Sequence, residues 1–220
     1  MHIAFFWLAL SVLAATVAQQ LPDKCDCSGT FNTNDTRYVC GDFRLGPVYL
    51  PSISPIGSGI LYKYDSFNGA CPGTFLHKWT WPNGSYHYPE PMGFQNSTSS
   101  KPIEGLETLP VGTLIDRFGA TSGMYLSPAF TPFRQRALPP QALNPPRSGH
   151  GPAADYHIYR VEKPLTVLVG TITAWLWFGQ PGQGTQYFLF NGTHQFRVVD
   201  LLGNTTHPGY LSEVTVKEDE

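Results

Sequence analysis

Hydrophobic and polar positions divide the chain into stretches of different character. The first is an unbroken apolar run from Ala4 to Ala18 (AFFWLALSVLAATVA), followed at once by Gln19 and Gln20. Its length suits the apolar region of a signal peptide and falls short of the ~20 residues that a bilayer span needs. Residues 1–18 therefore predict an export signal cut near Ala18, leaving a mature chain that no membrane segment holds. Residues 19–104 show no clean period. They carry aromatics (Tyr62, Tyr64, Phe67, Trp79, Trp81) and the turn pairs Asn68-Gly69, Pro72-Gly73 and Asn83-Gly84, in which Asn and Gly tolerate positive φ. Residues 105–220 are more regular. Short runs rich in β-branched and aromatic residues predict strands at Thr113–Phe118, Tyr156–Val161, Leu165–Thr173, Thr185–Phe190, Phe196–Leu202 and Leu211–Lys217. Only short helices fit, near Pro102–Glu107 and Pro140–Leu143, and the Pro- and Gly-rich Pro139–Pro152 segment reads as a loop. The expected fold class is α+β but mostly β, a compact and mainly antiparallel sheet core with few short helices.

Composition narrows the function classes. Of 220 residues 22 are Gly and 20 are Pro, so few long helical windows survive, while 14% aromatic content argues against disorder. A formal net charge of -2 with 14% charged residues excludes the basic footprint of a nucleic-acid binder. N-x-S/T sequons at Asn34, Asn83, Asn96, Asn191 and Asn204 fit export and predict a glycoprotein. The four cysteines, Cys25, Cys27, Cys40 and Cys71, predict two disulfides in an oxidising compartment. Cys25 and Cys27 are too close in sequence to bond each other easily. That leaves either Cys25–Cys40 with Cys27–Cys71 or the swapped pairing.

The common catalytic motifs are absent: no G-x-S-x-G elbow, H-E-x-x-H, P-loop or G-x-G-x-x-G after a strand. Between Arg117 and Gln186 the only carboxylates are Asp155 and Glu162, a poor supply for a paired-carboxylate glycosidase. Three polar clusters sit in this apolar setting: Asp116-Arg117-Phe118-Gly119, the run Thr131–Pro140 (TPFRQRALPP), and the glycine-rich turn Trp177–Gln186 (WFGQPGQGTQ). Guanidinium forks grip phosphate and aromatic rings stack on planar groups, so these clusters suit a ligand with anionic and planar parts.

In order, the segments DRFG, GMYLSP, TPFRQRALPP, YHIYRV and GTITAWLWFGQPGQGTQ resemble the catalytic domain of the tuberculosis necrotizing toxin family, and within it the secreted fungal NAD glycohydrolases displayed on conidial surfaces. The likeness covers about Gly105 to Phe190. It implies a catalytic domain over residues 105–220 and, for the cysteine-containing residues 19–104, a disulfide-stapled region similar to the thumb that fungal members add. It also implies hydrolysis of NAD+ and NADP+ at the nicotinamide–ribose bond, with no cofactor required, and a homodimer. Carried over motif by motif, Arg117 is expected on the diphosphate and Gln186 at the ribose and nicotinamide end. Arg136 is the second expected phosphate cation, with Arg134 able to take its part. Phe118, Tyr125 and Phe133 are candidate stacking rings, His157 matches a histidine that matters in the toxin, and Gln183 competes with Gln186 as the reactive amide. Gln180 is a weaker third, while Trp175 and Trp177 read as core. No metal motif is present, although Glu218-Asp219-Glu220 leaves room for a structural calcium ion like that of some fungal members. The alternatives to a glycohydrolase are an ADP-ribosyltransferase and a non-enzymatic glycosylated cell-wall or adhesion module.

Overall fold

The computed structural model describes residues 16–19, 21, 25–51, 55–90, 92–146, 154–173, 177–203 and 208–215. Residues 1–15 of the expected signal segment 1–18, Asn204, Trp175 and the acidic end Glu218–Glu220 lie outside them. Among the described residues no helix is long and apolar enough to cross a membrane.

The centre of the molecule is a seven-stranded antiparallel sheet in the order β3-β7-β8-β5-β4-β6-β9. Its strands are β3 (Glu104–Leu109), β4 (Leu114–Phe118), β5 (Tyr125–Pro128), β6 (Tyr156–Val161), β7 (Leu165–Thr171), β8 (Thr185–Phe188) and β9 (Leu211–Glu213). A small pair, β1 (Thr16–Ala18) with β2 (Tyr49–Pro51), lies outside it, so the expected cut near Ala18 falls at the end of a paired strand. The mostly β, antiparallel class and the strands at β4, β6, β7 and β8 match the sequence pattern, the last two ending earlier than expected.

Three local expectations are corrected. Residues 102–107, expected as a helix, lie largely in edge strand β3, which is exposed at every position but its last and so shows no alternation for a pattern to catch. Phe196–Leu202, expected as a strand, contains the short helix α2 (Val198–Leu201). Its Val198 and Leu201 are buried three residues apart on one face, and Asp200 closes a capping interaction onto the Arg197 backbone N–H at 2.9 Å. An unforeseen helix, α1 (Pro72–Trp79), rises inside the irregular region with Pro72 in its first turn and Phe75, Leu76 and Trp79 buried.

Strand alternation assigns two faces to the sheet. One buries Ile115, Leu126, Tyr159, Val161, Val167 and Tyr187 against α2. The other carries two separate apolar clusters: Phe118 under Phe133, Leu143 and Ile60, and Phe188 with Leu168 under Phe94. Both covering sets draw on residues 19–104, whose own core joins Phe75, Leu76, Trp79 and Tyr86 to Phe178 of the glycine-rich segment. That region is pinned by Cys25–Cys71 and Cys27–Cys40, the swapped pairing of the two left open. Its last part is stitched to the end of β7 by Gln95 N–H to Thr171 O at 2.8 Å and Thr173 N–H to Gly93 O at 3.0 Å. Gly170 permits the close approach, because a β-carbon there would stand 2.6 Å from the Phe94 ring and the Ile103 carbonyl.

Candidate active site

Between the two apolar clusters the sheet presents a polar row. Asp116 pairs with Ser127 across β4 and β5, and the register Leu126↔Tyr187, carried one step further, sets Ser127 beside Gln186 on β8. Gln186 in turn faces Gly170. Adjacent strands lie ~4.8 Å apart, so Asp116 and Gln186 stand about 10 Å apart along the row. Two residues further along on the same face, Tyr125 is opposite Phe188, and their rings stack at 4.9 Å. Tyr125 remains 38% exposed and therefore offers a ring to a ligand. The Gln186 amide donates to Met92 O at 2.9 Å, which ties it to the thumb. On the other side, Gly182 N–H reaches Arg134 O and Gly184 N–H reaches Gln135 O, at 3.2 and 3.0 Å. The glycine-rich turn thus suspends Gln186 between an arginine-bearing loop and the thumb. Gln183, exposed at the tip of that turn, holds a left-handed φ of 66°, a conformation that costs a non-glycine residue about a kilocalorie per mole or more.

Asp116 is fully buried and accepts four hydrogen bonds: 2.6 and 2.8 Å from the Arg136 fork, 2.8 Å from Phe130 N–H and 2.6 Å from the Tyr156 hydroxyl. Burial, and then the Asp116 carboxylate, push the Tyr156 hydroxyl far up, so it stays a donor. Arg136, expected as a phosphate cation, is 5% exposed, and its Nε and Nη2 also donate to Thr131 O. A buried charge already satisfied by an opposite charge is a structural element rather than an open anion site. Arg134, by contrast, is half-buried and makes no ion pair among the described residues.

Arg117 follows Asp116 on β4 and so projects to the opposite face from Gln186, beside Ile115 and across from His157. Its Nε and one terminal nitrogen donate to the carbonyls of Gly119 and Tyr125, both at 2.9 Å, and no carboxylate pairs with it among the described residues. Burial holds this guanidinium below its ordinary range, with Tyr159 and Asp155 acting against that. Gly123 makes the space, because a β-carbon there would overlap the guanidinium. The cation therefore sits at the strand ends, touching the backbone of Tyr125, whose ring lies on the other face.

Other expected residues are placed elsewhere. Phe133 is wholly buried between Tyr64 and Phe118, and Phe118 is 6% exposed, so neither presents a face to a ligand. His157 lies between Asp155 and Glu213, 2.8 and 2.6 Å from its two ring nitrogens, and stacks on Tyr159. The Gln180 amide is buried on Asp65 O and Phe178 O. Trp177 is half-buried and lines a cavity rather than lying wholly in the core. Asn34, Asn83, Asn96 and Asn191 are exposed. Sequence reasoning missed Asp116's anchoring role, the exposed Phe130 with φ 67°, and Glu90 of the thumb, which shares with Trp177 a cavity of about 500 Å³. Only Asp116 was signalled, by its place in DRFG.

The sheet thus brings together an amide held on both sides, an exposed ring and, among the described residues, arginines without an ion pair, the groups that a ligand with planar and anionic parts would need. The chain belongs to the tuberculosis necrotizing toxin family: the model of that family matches residues 108–214. It is 45% identical over 175 residues to the conidial surface nicotinamide adenine dinucleotide glycohydrolase nadA of Aspergillus fumigatus, covering 77% of this chain and 72% of that protein. Among solved structures, the tuberculosis necrotizing toxin complexed with its immunity factor aligns with a TM-score of 0.47 at 16% identity, over 92% of this chain and 96% of that one.

Proposed function

We propose that the protein is an NAD+ glycohydrolase that cleaves the bond between nicotinamide and ribose, with NADP+ as a second substrate because the grip is on the shared diphosphate. The observation that carries this reading is the suspension of Gln186 between the loop that bears Arg134 and the thumb, in a chain 45% identical to a fungal NAD glycohydrolase. The dinucleotide runs over the ends of β4 and β5, its diphosphate toward Arg117 and Arg134 and a ring on Tyr125. Its reacting ribose lies at Gln186. As the glycosidic bond breaks, the electron pair passes to the pyridinium nitrogen and nicotinamide leaves neutral, so no strong acid is required. Positive charge grows at ribose C1, and water adds there and loses a proton. The Gln186 amide, which both donates and accepts, orients that water or the ribose hydroxyls. Asp116 and Arg136 act through the backbone of Phe130 and Thr131, shaping the loop that carries Arg134.

The same reading makes the protein an exported glycoprotein of the cell or spore surface, released by cleavage near Ala18, and a homodimer. Light scattering of the secreted protein before and after glycosidase treatment reads glycan mass and oligomeric state, and N-terminal sequencing reads the cut. The activity test is incubation with NAD+ while following nicotinamide release and free ADP-ribose. Gln186→Ala should fold and lose turnover by 100-fold or more, in line with the loss of a positioned polar group at a reacting centre. Full activity in that variant moves the role to Gln183. Label transferred from NAD+ to protein would instead indicate an ADP-ribosyltransferase, and untouched NAD+ would return the protein to the binding-module class.

A further inference from the structure

The thumb and the segment that follows β7 form an open cavity of about 500 Å³, lined by Trp81, His87, Tyr88, Glu90, Asn96 and Trp177, with Thr173 on the side toward β7. We propose that this cavity reads positive charge: it takes the planar pyridinium end of an oxidised dinucleotide against its aromatic faces, with the Glu90 carboxylate as counter-ion. The inference rests on the dinucleotide reading above and adds the part of the site that the thumb supplies.

Three observations converge on it. First, the described lining sets four aromatic side chains beside the neutral polar Gln95, Asn96 and Thr173 and carries one formal charge, that of Glu90. Ring faces with a carboxylate suit a cation and repel a diphosphate. The His87 ring lies 5.1 Å from Trp81 and 5.8 Å from Trp177, and the Trp177 indole N–H is tied to His87 O at 2.9 Å, so the aromatic wall is fixed before a ligand arrives. Second, the cavity adjoins Gln186. The turn Pro89–Gly93, closed by Gly93 N–H to Pro89 O at 2.8 Å, carries both Glu90 and the Met92 carbonyl that receives the Gln186 amide. Third, charge is segregated along the site. Arg134 is joined to the glycine-rich turn on one side of Gln186, and Glu90 stands on the other. NAD+ has the matching polarity, an anionic diphosphate and a cationic ring. The Tyr125 hydroxyl, raised first by burial and then by Glu90, places that carboxylate within electrostatic reach of the exposed ring.

The arrangement has a consequence for turnover. When the glycosidic bond breaks, its electron pair neutralises the ring, and the attraction to Glu90 ends at the moment the ring becomes a leaving group. The cavity therefore favours substrate over nicotinamide, and NAD+ over NADH, whose ring is uncharged.

The test compares binding of permanently cationic 1-methylnicotinamide with neutral nicotinamide, by calorimetry on the full-length secreted protein. Wild type should prefer the cation about tenfold, and the preference should shrink with salt because Glu90 is exposed. Glu90→Gln should abolish the preference and raise KM for NAD+ about tenfold, and Glu90→Lys should reverse it. Trp81→Ala should weaken both ligands. Equal binding of the two rings by wild type, or a preference that survives Glu90→Gln, overturns the proposal. NAD+ cleavage by wild type and Glu90→Gln with equal KM sinks the charge reading and leaves the glycohydrolase standing. A preference for the cation without NAD+ cleavage does the reverse.

Discussion

Against the two faces of β4 lie two arginines that the sequence offers as a first and a second phosphate cation, and the structure treats them in opposite ways. On one face Arg136 is locked onto buried Asp116, with a backbone N–H and the Tyr156 hydroxyl completing the anion's shell. On the other, Arg117 is held by carbonyl oxygens alone, with space left by a glycine. A carboxylate partner neutralises a guanidinium and fixes it as scaffold. Carbonyl partners orient it and leave its charge available. The type of acceptor, more than the degree of burial, therefore separates a structural arginine from one able to hold a ligand.

Four variants sharpen this contrast. Asp116→Ala strands a buried cation and should destabilise the fold by about 3–5 kcal/mol, read as a large drop in thermal midpoint. An unchanged midpoint would mean the pair is not the anchor described. Arg117→Ala should leave the midpoint nearly unaltered and weaken NAD+ binding by roughly 1.5–3 kcal/mol, the worth of one charge-assisted contact, measured by calorimetry. Gly123→Ala should imitate that loss while every functional side chain remains present, since the new methyl evicts the guanidinium. Wild-type affinity in Gly123→Ala would detach Arg117 from the ligand. The smallest effect is expected for Gln183→Gly, which relieves a left-handed backbone and should raise stability by up to about 1 kcal/mol. A large loss of turnover there would transfer the amide's role from Gln186.

Much of the sheet was legible because β4, β6, β7 and β8 carry β-branched and aromatic residues that fit a half-buried pleat. β3 was not, because a strand exposed on both faces leaves Glu, Gly and Leu in an order that mimics a helix. Tyr125–Pro128 is too short, with Ser and Pro in it, to announce a strand. For the expected site residues, type and order could be read along the chain, but not the face of the sheet on which each would fall. Motif spacing says nothing about strand parity, and a shift of one residue sends Arg117 and Gln186 to opposite faces. Likewise, nothing local marks Arg136 as a partner of Asp116, 20 residues earlier.

Both covalent bridges lie within residues 25–71, and one of them ends at Cys71, the residue just before α1. The last residue of α1 is Trp79, whose ring lies 5.8 Å from His87 and 5.4 Å from Trp177, two walls of the charge-reading cavity. Neither bridge enters the seven-stranded sheet. On the proposal that this cavity holds the ring end of the ligand, reduction of Cys25–Cys71 should raise KM for NAD+ while the sheet stays folded, so the bridges would act on recognition rather than on the scaffold.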